Sequence, residues 1–180
     1  MRYVALLRGI NLGKRRVKME RLRELFEELE FARVGTFIAS GNVLFETRAR
    51  DTVRLEQTIE RHLEAALGYP VETMIRTAAE MRVVADARPF PATDMDTEAD
   101  TIHVGFWKTP AAKAEAKKLA AVRTEYDAFA VTEQEYYWLT RGRITDSVVW
   151  TLPVMKTIVL PSGTMRNLKT VRTLADLLGQ

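Results

Sequence analysis

Cysteine is absent from this 180-residue sequence. Its absence excludes disulfides, thiol catalysis and cysteine-ligated zinc. Histidine occurs only twice, at His62 and His103. Neither stands at a metal-ligand spacing from nearby carboxylates, so no metal site and no cofactor is expected. No apolar run approaches the roughly 18 residues that a membrane span needs. The opening run, Met1 to Arg8, is shorter than the about 7–15 apolar residues of a secretory signal core. A cytoplasmic protein without a membrane partner is the expectation. Hydrophobic residues make up 47% and charged residues 28%, the balance of an ordinary globular domain rather than a disordered or collagen-like chain.

The formal net charge is only +3, so distribution matters more than the sum. Arg8, Lys14, Arg15, Arg16 and Lys18 fall within one stretch that carries no acid. Lys156, Arg166, Lys169 and Arg172 lie in a second acid-free stretch, Ser147 to Ala175. Between them, Asp86, Asp94, Asp96, Glu98 and Asp100 face Arg88 alone. Two basic segments and an acidic connector suggest a localised anion site. The acids alternate but lack the glycine and terminal glutamate of a calcium-binding loop, so a solvated linker is expected there.

Hydrophobic periodicity gives the element order. Arg2–Arg8 reads as a strand that ends at Gly9. Met19, Leu22, Leu25, Phe26 and Leu29 make one face of a helix. Arg33–Ala39 and Val43–Glu46 read as strands around a Ser40-Gly41-Asn42 hairpin turn. Asp51 caps a helix that carries Leu55, Ile59 and Leu63 and ends at Gly68. Val71–Arg76 is a fourth strand and Ala78–Ala87 a third helix. This is β-α-β-β-α-β, the ferredoxin-like split motif.

The second half repeats the order. Thr101–Trp107 is a strand, and Pro110 starts a helix over Ala111–Val122. Ala128–Val131 and Tyr136–Leu139 form a hairpin. Ser147–Met155 is a helix kinked at Pro153, and Thr157–Leu160 is the closing strand. Asn167 then caps a tail helix bearing Val171, Leu174, Leu177 and Leu178. The fold expected is α+β, with two packed ferredoxin-like subdomains plus a C-terminal helix. Residues 1–76 are the first subdomain, 77–100 a helix and acidic linker, 101–160 the second subdomain, and 161–180 the tail helix. No residue-level repeat relates the halves. Eight of the 15 aromatic residues fall between Phe106 and Trp150 and are expected to form the second core and the seam.

Three motifs now stand in order: Ala5-Leu6-Leu7-Arg8-Gly9-Ile10-Asn11-Leu12-Gly13, Ile38-Ala39-Ser40-Gly41-Asn42-Val43-Leu44-Phe45 and Thr164-Met165-Arg166-Asn167-Leu168-Lys169-Thr170-Val171. Together they resemble the bacterial family called domain of unknown function sixteen-ninety-seven. The resemblance implies two ferredoxin-like subdomains and supplies no reaction. It departs from the family at two points. Gly13 is followed directly by Lys14 where a second glycine is usual, and Leu168 stands where tryptophan is frequent.

The loop after the first strand offers Arg8, Asn11, Lys14, Arg15, Arg16 and Lys18, with backbone N–H groups around two glycines. Arginine brings a planar donor fork and lysine a point charge, a set suited to phosphate or carboxylate. The same loop could serve only the fold, with Arg8 paired to a helix carboxylate and Asn11 satisfying backbone groups. It is not a P-loop, because three residues separate Gly9 from Gly13 and Arg15 follows Lys14. Ser40 lacks the base and acid of a nucleophilic triad.

The candidate ligand-binding residues are therefore Arg8, Asn11, Lys14, Lys18, Ser40, Asn42, Arg166 and Asn167, with no catalytic residue assigned. If the tail helix docks on the first subdomain, Arg166 would meet Arg8 and complete an anion clamp. The leading expectation is binding of a phosphate-bearing ligand, a nucleotide or nucleic acid. Alternatives are an enzyme acting on a small anionic metabolite and a structural or partner-binding module whose motifs serve the fold.

Overall fold

The computed structural model describes residues 1–13, 15–91 and 100–180. Lys14, Asp94, Asp96 and Glu98, to which the sequence assigns a ligand contact and a solvated linker, lie outside the described residues. Contacts divide the chain into two compact units: Met1–Ala85 with Arg172–Gln180, and Asp86–Val171.

In the first unit the order is β1 (Arg2–Leu7), α1 (Met19–Glu27), β2 (Ala32–Thr36), β3 (Asn42–Glu46), α2 (Thr52–Leu67), β4 (Thr73–Thr77) and α3 (Ala78–Asp86). The strands lie in the order β2-β3-β1-β4. Each neighbouring pair is antiparallel, with Tyr3 opposite Phe45 on one side and Thr77 on the other. Strand alternation sends Tyr3, Ala5, Leu7, Val43, Phe45 and Ile75 to one face. There they form a core with Leu22, Leu25 and Phe26 of α1 and Leu55, Ile59 and Leu63 of α2. This is the ferredoxin-like plait that the periodicity predicts. The α2 boundaries also fall as read. The Asp51 carboxylate accepts the Arg54 N–H at 3.0 Å, and Gly68 ends the helix at φ 77°.

The β2–β3 connection differs from expectation. β2 stops at Thr36, and the turn occupies residues 38–41. Asn42 is the first residue of β3 and is fully buried. Its amide donates back to the Phe37 carbonyl and to Ser40 Oγ, both at 2.9 Å. A side chain that bridges its own loop is a bracket for the turn, which is why Asn42 sits inside the strand.

The second unit holds β5 (Thr101–Trp107), α4 (Lys113–Ala120), β6 (Asp127–Val131), β7 (Glu135–Thr140) and β8 (Gly163–Asn167), with the sheet ordered β6-β7-β5-β8. Two sequence expectations fail here. The Ser147–Met155 helix is replaced by short 3-10 turns at Ile144–Asp146, Val149–Thr151 and Met155–Thr157. Pro153 removes a helix donor, and the β-branched Val148, Val149, Thr151 and Val154 disfavour continuation. The segment still buries Val149, Met155 and Ile158 against Trp107, Leu119, Phe129 and Trp138. The closing strand is β8, not Thr157–Leu160. Ile158 belongs to that core cluster, and Pro161 follows before pairing with β5 begins at Gly163. The expected Pro110 helix start also shifts, since Ala112 is the residue at the N-cap.

Asp127 ties this unit together. Its buried carboxylate accepts from Trp138 Nε1 at 2.8 Å, Ser147 Oγ at 2.7 Å and Thr124 Oγ1 at 3.0 Å. Asp100, expected in a solvated linker, has a fully buried side chain paired with Arg141 at 2.7 Å. It sits directly before the first β5 residue, so the linker acid serves as an anchor for the sheet.

The last helix, α5 (Leu168–Leu178), spans the division between the units. It buries Val171, Leu174, Ala175 and Leu178. Within the first unit, Asp176 pairs with Arg82 of α3 at 2.9 Å, and Arg172 Nε donates to the Ala85 carbonyl at 3.3 Å.

His103 on β5 has a buried Nε2 that makes no hydrogen bond among the described residues. Desolvation holds its pKa below the ordinary 6.5. The unfolded chain therefore binds this proton first, and the stabilisation from the neutral ring is complete above about pH 6.5 and declines as pH falls below it. A melting series from about pH 8 to 5 should show that decline, and His103→Phe should flatten it. Equal slopes for both proteins would remove His103 from the account.

Candidate functional site

The C-terminal end of β1 carries the first motif into the loop before α1. The Leu7 N–H donates to the Gly41 carbonyl at 2.8 Å, and the Arg8 N–H donates to the Glu72 carbonyl at 2.8 Å. Main-chain bonds thus set the start of the loop between the β2–β3 turn and the approach to β4. The Arg8 guanidinium, half exposed, pairs with the Glu72 carboxylate at 2.5 Å.

Beyond Arg8 the backbone turns through three left-handed positions, Gly9 at φ 70°, Asn11 at φ 58° and Gly13 at φ 59°. Asparagine tolerates that region better than most side chains. Its amide then locks the loop from both sides. Oδ1 accepts the Val17 N–H at 2.6 Å, and Nδ2 donates to the Ala39 carbonyl at 3.1 Å. Ile10 and Val17 are buried and pin the two arms. The motifs around Asn11 and Ser40, about 30 positions apart, are therefore one structural cluster.

The cations sit on the outside of this frame. Arg16 donates to the carbonyls of Asn11 and Arg15 at 3.0 and 2.9 Å. The Arg15 guanidinium carbon lies 4.3 Å from the centre of the Tyr69 ring, a cation–π distance. Lys18 is exposed immediately before α1. The sequence pattern alone gives Tyr69 no role. The available signal was its place directly after the Gly68 helix end, which fixes where the ring emerges from α2.

The other predicted residues occupy different settings. Ser40 Oγ accepts from the Asn42 amide, so both side chains face each other inside the turn. Arg166 and Asn167 belong to β8 in the second unit. Arg166 is 7% exposed and donates to Thr164 Oγ1 and to the Met165 carbonyl, each at 2.8 Å. Burial pulls its pKa down to about 10. Asn167 Oδ1 accepts the Lys169 N–H at 2.8 Å in the first turn of α5, the bond expected of a helix-capping asparagine.

The sheet registers reveal an equivalence that the sequence hid. Arg76 pairs across from Val4 in the first sheet, and Arg166 pairs across from Val104 in the second. Both arginines are buried, at 3% and 7% exposure. Each stands at the same place on the fourth strand of its plait, one residue before the end.

Among the described residues, no group of three or more histidine, aspartate or glutamate side chains is arranged to hold a metal ion. No helix among them is long and apolar enough to cross a membrane.

The family described as protein of unknown function (DUF1697) matches the chain over residues 1–137. A solved structure described as a conserved bacterial protein from Streptococcus pneumoniae is similar over 99% of this chain and 98% of its own, with a TM-score of 0.74 at 19% identity. That likeness is one of fold. No curated protein sequence matches the chain.

Proposed function

We propose, for a chain that belongs to the DUF1697 family of proteins of unknown function, that the loop after β1 binds a phosphate-bearing ligand, a nucleotide or a stretch of nucleic acid. One observation carries the reading. The Asn11 side chain closes the loop on itself by accepting the Val17 N–H and ties it to the β2–β3 turn by donating to the Ala39 carbonyl, while Arg15 and Lys18 remain on the exposed side. A loop fixed in advance loses little freedom when a ligand binds, so its charges act with less entropic cost. The Arg15 guanidinium carbon also lies 4.3 Å from the centre of the Tyr69 ring, a contact that restrains a donor suited to phosphate oxygens.

In this reading Arg8, Arg15, Arg16 and Lys18 supply charge, while Asn11, Ser40 and Asn42 hold the frame. Lys14, on the same loop, would add a further charge. The buried settings of Asn42 and Arg166 favour the second reading for those two, that they serve the fold. Arg166→Lys would then cost stability without changing ligand affinity.

The test compares wild type with the triple variant Arg15→Gln, Arg16→Gln, Lys18→Gln. Anisotropy of a labelled single-stranded RNA and competition by AMP are read across a salt series. Binding should weaken with salt, and the triple variant should lower the log–log slope by about two, at about 0.7 per phosphate contact. A wild type that binds neither probe, or a variant with unchanged affinity and slope, rejects the proposal.

A further inference from the structure

A second set of cations lies at the other end of the first sheet. β3 ends at Glu46, opposite Arg2 of β1, and the chain then runs through Thr47, Arg48, Ala49 and Arg50 to the Asp51 cap of α2. This connection is firmly built. The Met1 amino group donates to the Thr47 carbonyl at 2.6 Å, and the Tyr3 hydroxyl donates to the Ala49 carbonyl at 2.8 Å. The Ala49 N–H reaches Thr47 Oγ1 at 3.3 Å.

On this frame Arg50 and Arg54 line an open cleft of about 350 Å³ with Ala49, Asp51, Leu55 and Thr58. Arg48 lines the neighbouring cleft beside Met1 and Thr47. Among the described residues the guanidinium groups of Arg48, Arg50 and Arg54 make no hydrogen bond or ion pair. The nearby acids are already engaged. Glu46 faces Arg2 at 3.9 Å and Arg33 at 3.2 Å, and the Asp51 carboxylate accepts the Arg54 N–H.

Arg54 also stands against the local electrostatics. α2 has no acid in its first turn, and a cation there opposes the positive end of the helix dipole. The Asp51 carboxylate at the N-cap accepts the Arg54 N–H, and the Arg54 guanidinium itself makes no ion pair among the described residues. A local rule broken without a structural gain marks a residue kept for another purpose.

We propose that this cleft is a second anion site, separate from the loop after β1, that takes a small phosphate monoester. Arg50 and Arg54 hold the phosphate from two sides, and the Thr58 hydroxyl supplies a further donor. Ala49 and the edge of Leu55 give the body of the molecule an apolar wall. The cleft volume is that of a small-molecule site, within the range of about 300–1,000 Å³.

Calorimetric titration tests this with inorganic phosphate, AMP and glucose 6-phosphate, and with adenosine as the uncharged control. The proteins are wild type, Arg50→Gln/Arg54→Gln and the loop variant Arg15→Gln/Arg16→Gln. At least one ester should bind wild type saturably and more tightly than inorganic phosphate. It should bind Arg50→Gln/Arg54→Gln about tenfold more weakly or worse, as loss of charge-assisted bonds predicts, and the loop variant as well as wild type. Without ligand, Arg54→Gln should melt at or above the wild-type temperature. In wild type, amide signals of Ala49 to Leu55 should shift on titration. No saturable ester binding by wild type, equal affinity in the Arg50/Arg54 variant, or a loss confined to the loop variant overturns the proposal. The last result would leave the loop reading intact, and a loss confined to the Arg50/Arg54 variant would leave this one standing alone.

Discussion

Asp127→Ala is expected to cost about 3–5 kcal/mol, because the buried carboxylate accepts three side-chain hydrogen bonds and alanine accepts none. The Ser147 and Thr124 hydroxyls can rotate toward other acceptors, but the Trp138 N–H is fixed to its ring. That ring stacks on Phe129 at 5.9 Å and meets Trp150 edge-on at 5.5 Å, so it cannot turn to find water without opening the aromatic core. Ser147 also lies between the first two 3-10 turns, and the Val149 N–H donates to its Oγ at 3.2 Å. Losing Asp127 therefore loosens the segment that covers this core. The melting temperature should fall by about 8–15 °C for a chain of this size, and tryptophan emission should shift to the red. Asp127→Asn keeps an acceptor for Trp138 and should lose about 1–2 kcal/mol. A melting temperature within about 2 °C of wild type for the alanine variant would show that the three bonds do not hold this unit.

The same segment shows why the second plait was harder to read than the first. In the first unit, Leu55, Ile59 and Leu63 recur at helical spacing between an Asp51 cap and a Gly68 stop, and local signal and tertiary structure agree. In the second, Val148, Val149, Leu152, Val154 and Met155 supply enough apolar residues for a helix but no stable helical backbone. Three short turns bury a subset of them just as well. The apolar count was legible, and the backbone that presents it was decided by Pro153 and by packing on Trp138. β8 was displaced from its expected place for a related reason. Its pattern, Gly163-Thr164-Met165-Arg166-Asn167, puts an arginine where the hydrophobic pattern asks for an apolar residue. The match between Arg76 and Arg166 appears only through register, because no neighbouring residues repeat around them.

The candidate cluster was legible in part. Asn11 reaches the turn that holds Ser40 and Asn42, since a plait sets the end of its first strand beside the hairpin between its second and third, while the Arg8 guanidinium pairs with Glu72. The division of labour among them was not legible. Whether an asparagine faces a ligand or a carbonyl depends on distances of a few ångströms between chain segments far apart in sequence. The guanidinium groups of Arg48, Arg50 and Arg54 make no hydrogen bond or ion pair among the described residues, and a sequence carries no sign of that.

Gly41→Ala is expected to cost about 3 kcal/mol, through two separable costs. The first is backbone strain. Gly41 sits at φ 76°, where a β-carbon is disfavoured by about 1–2 kcal/mol. The second is crowding. A β-carbon at Gly41 would lie 2.3 Å from Ile10 Cγ2 and 3.0 Å from Leu7 Cβ, and overpacking of this kind costs about 1–3 kcal/mol. Gly68 separates the two. It has nearly the same backbone angle, φ 77°, and nothing within 4 Å of its β-carbon position. Gly68→Ala should therefore lose only the strain, about 1 kcal/mol. Urea midpoints with unchanged m-values would measure both losses. Equal losses would mean that Ile10 moves aside freely and that the contact is incidental. Unequal losses would explain why the two short motifs occur together. The isoleucine of Gly9-Ile10-Asn11 occupies the space that Ser40-Gly41-Asn42 leaves by having no side chain at its centre. The loop that carries Arg15 and Arg16 is seated on that turn, so a β-carbon at Gly41 displaces the cations along with Ile10.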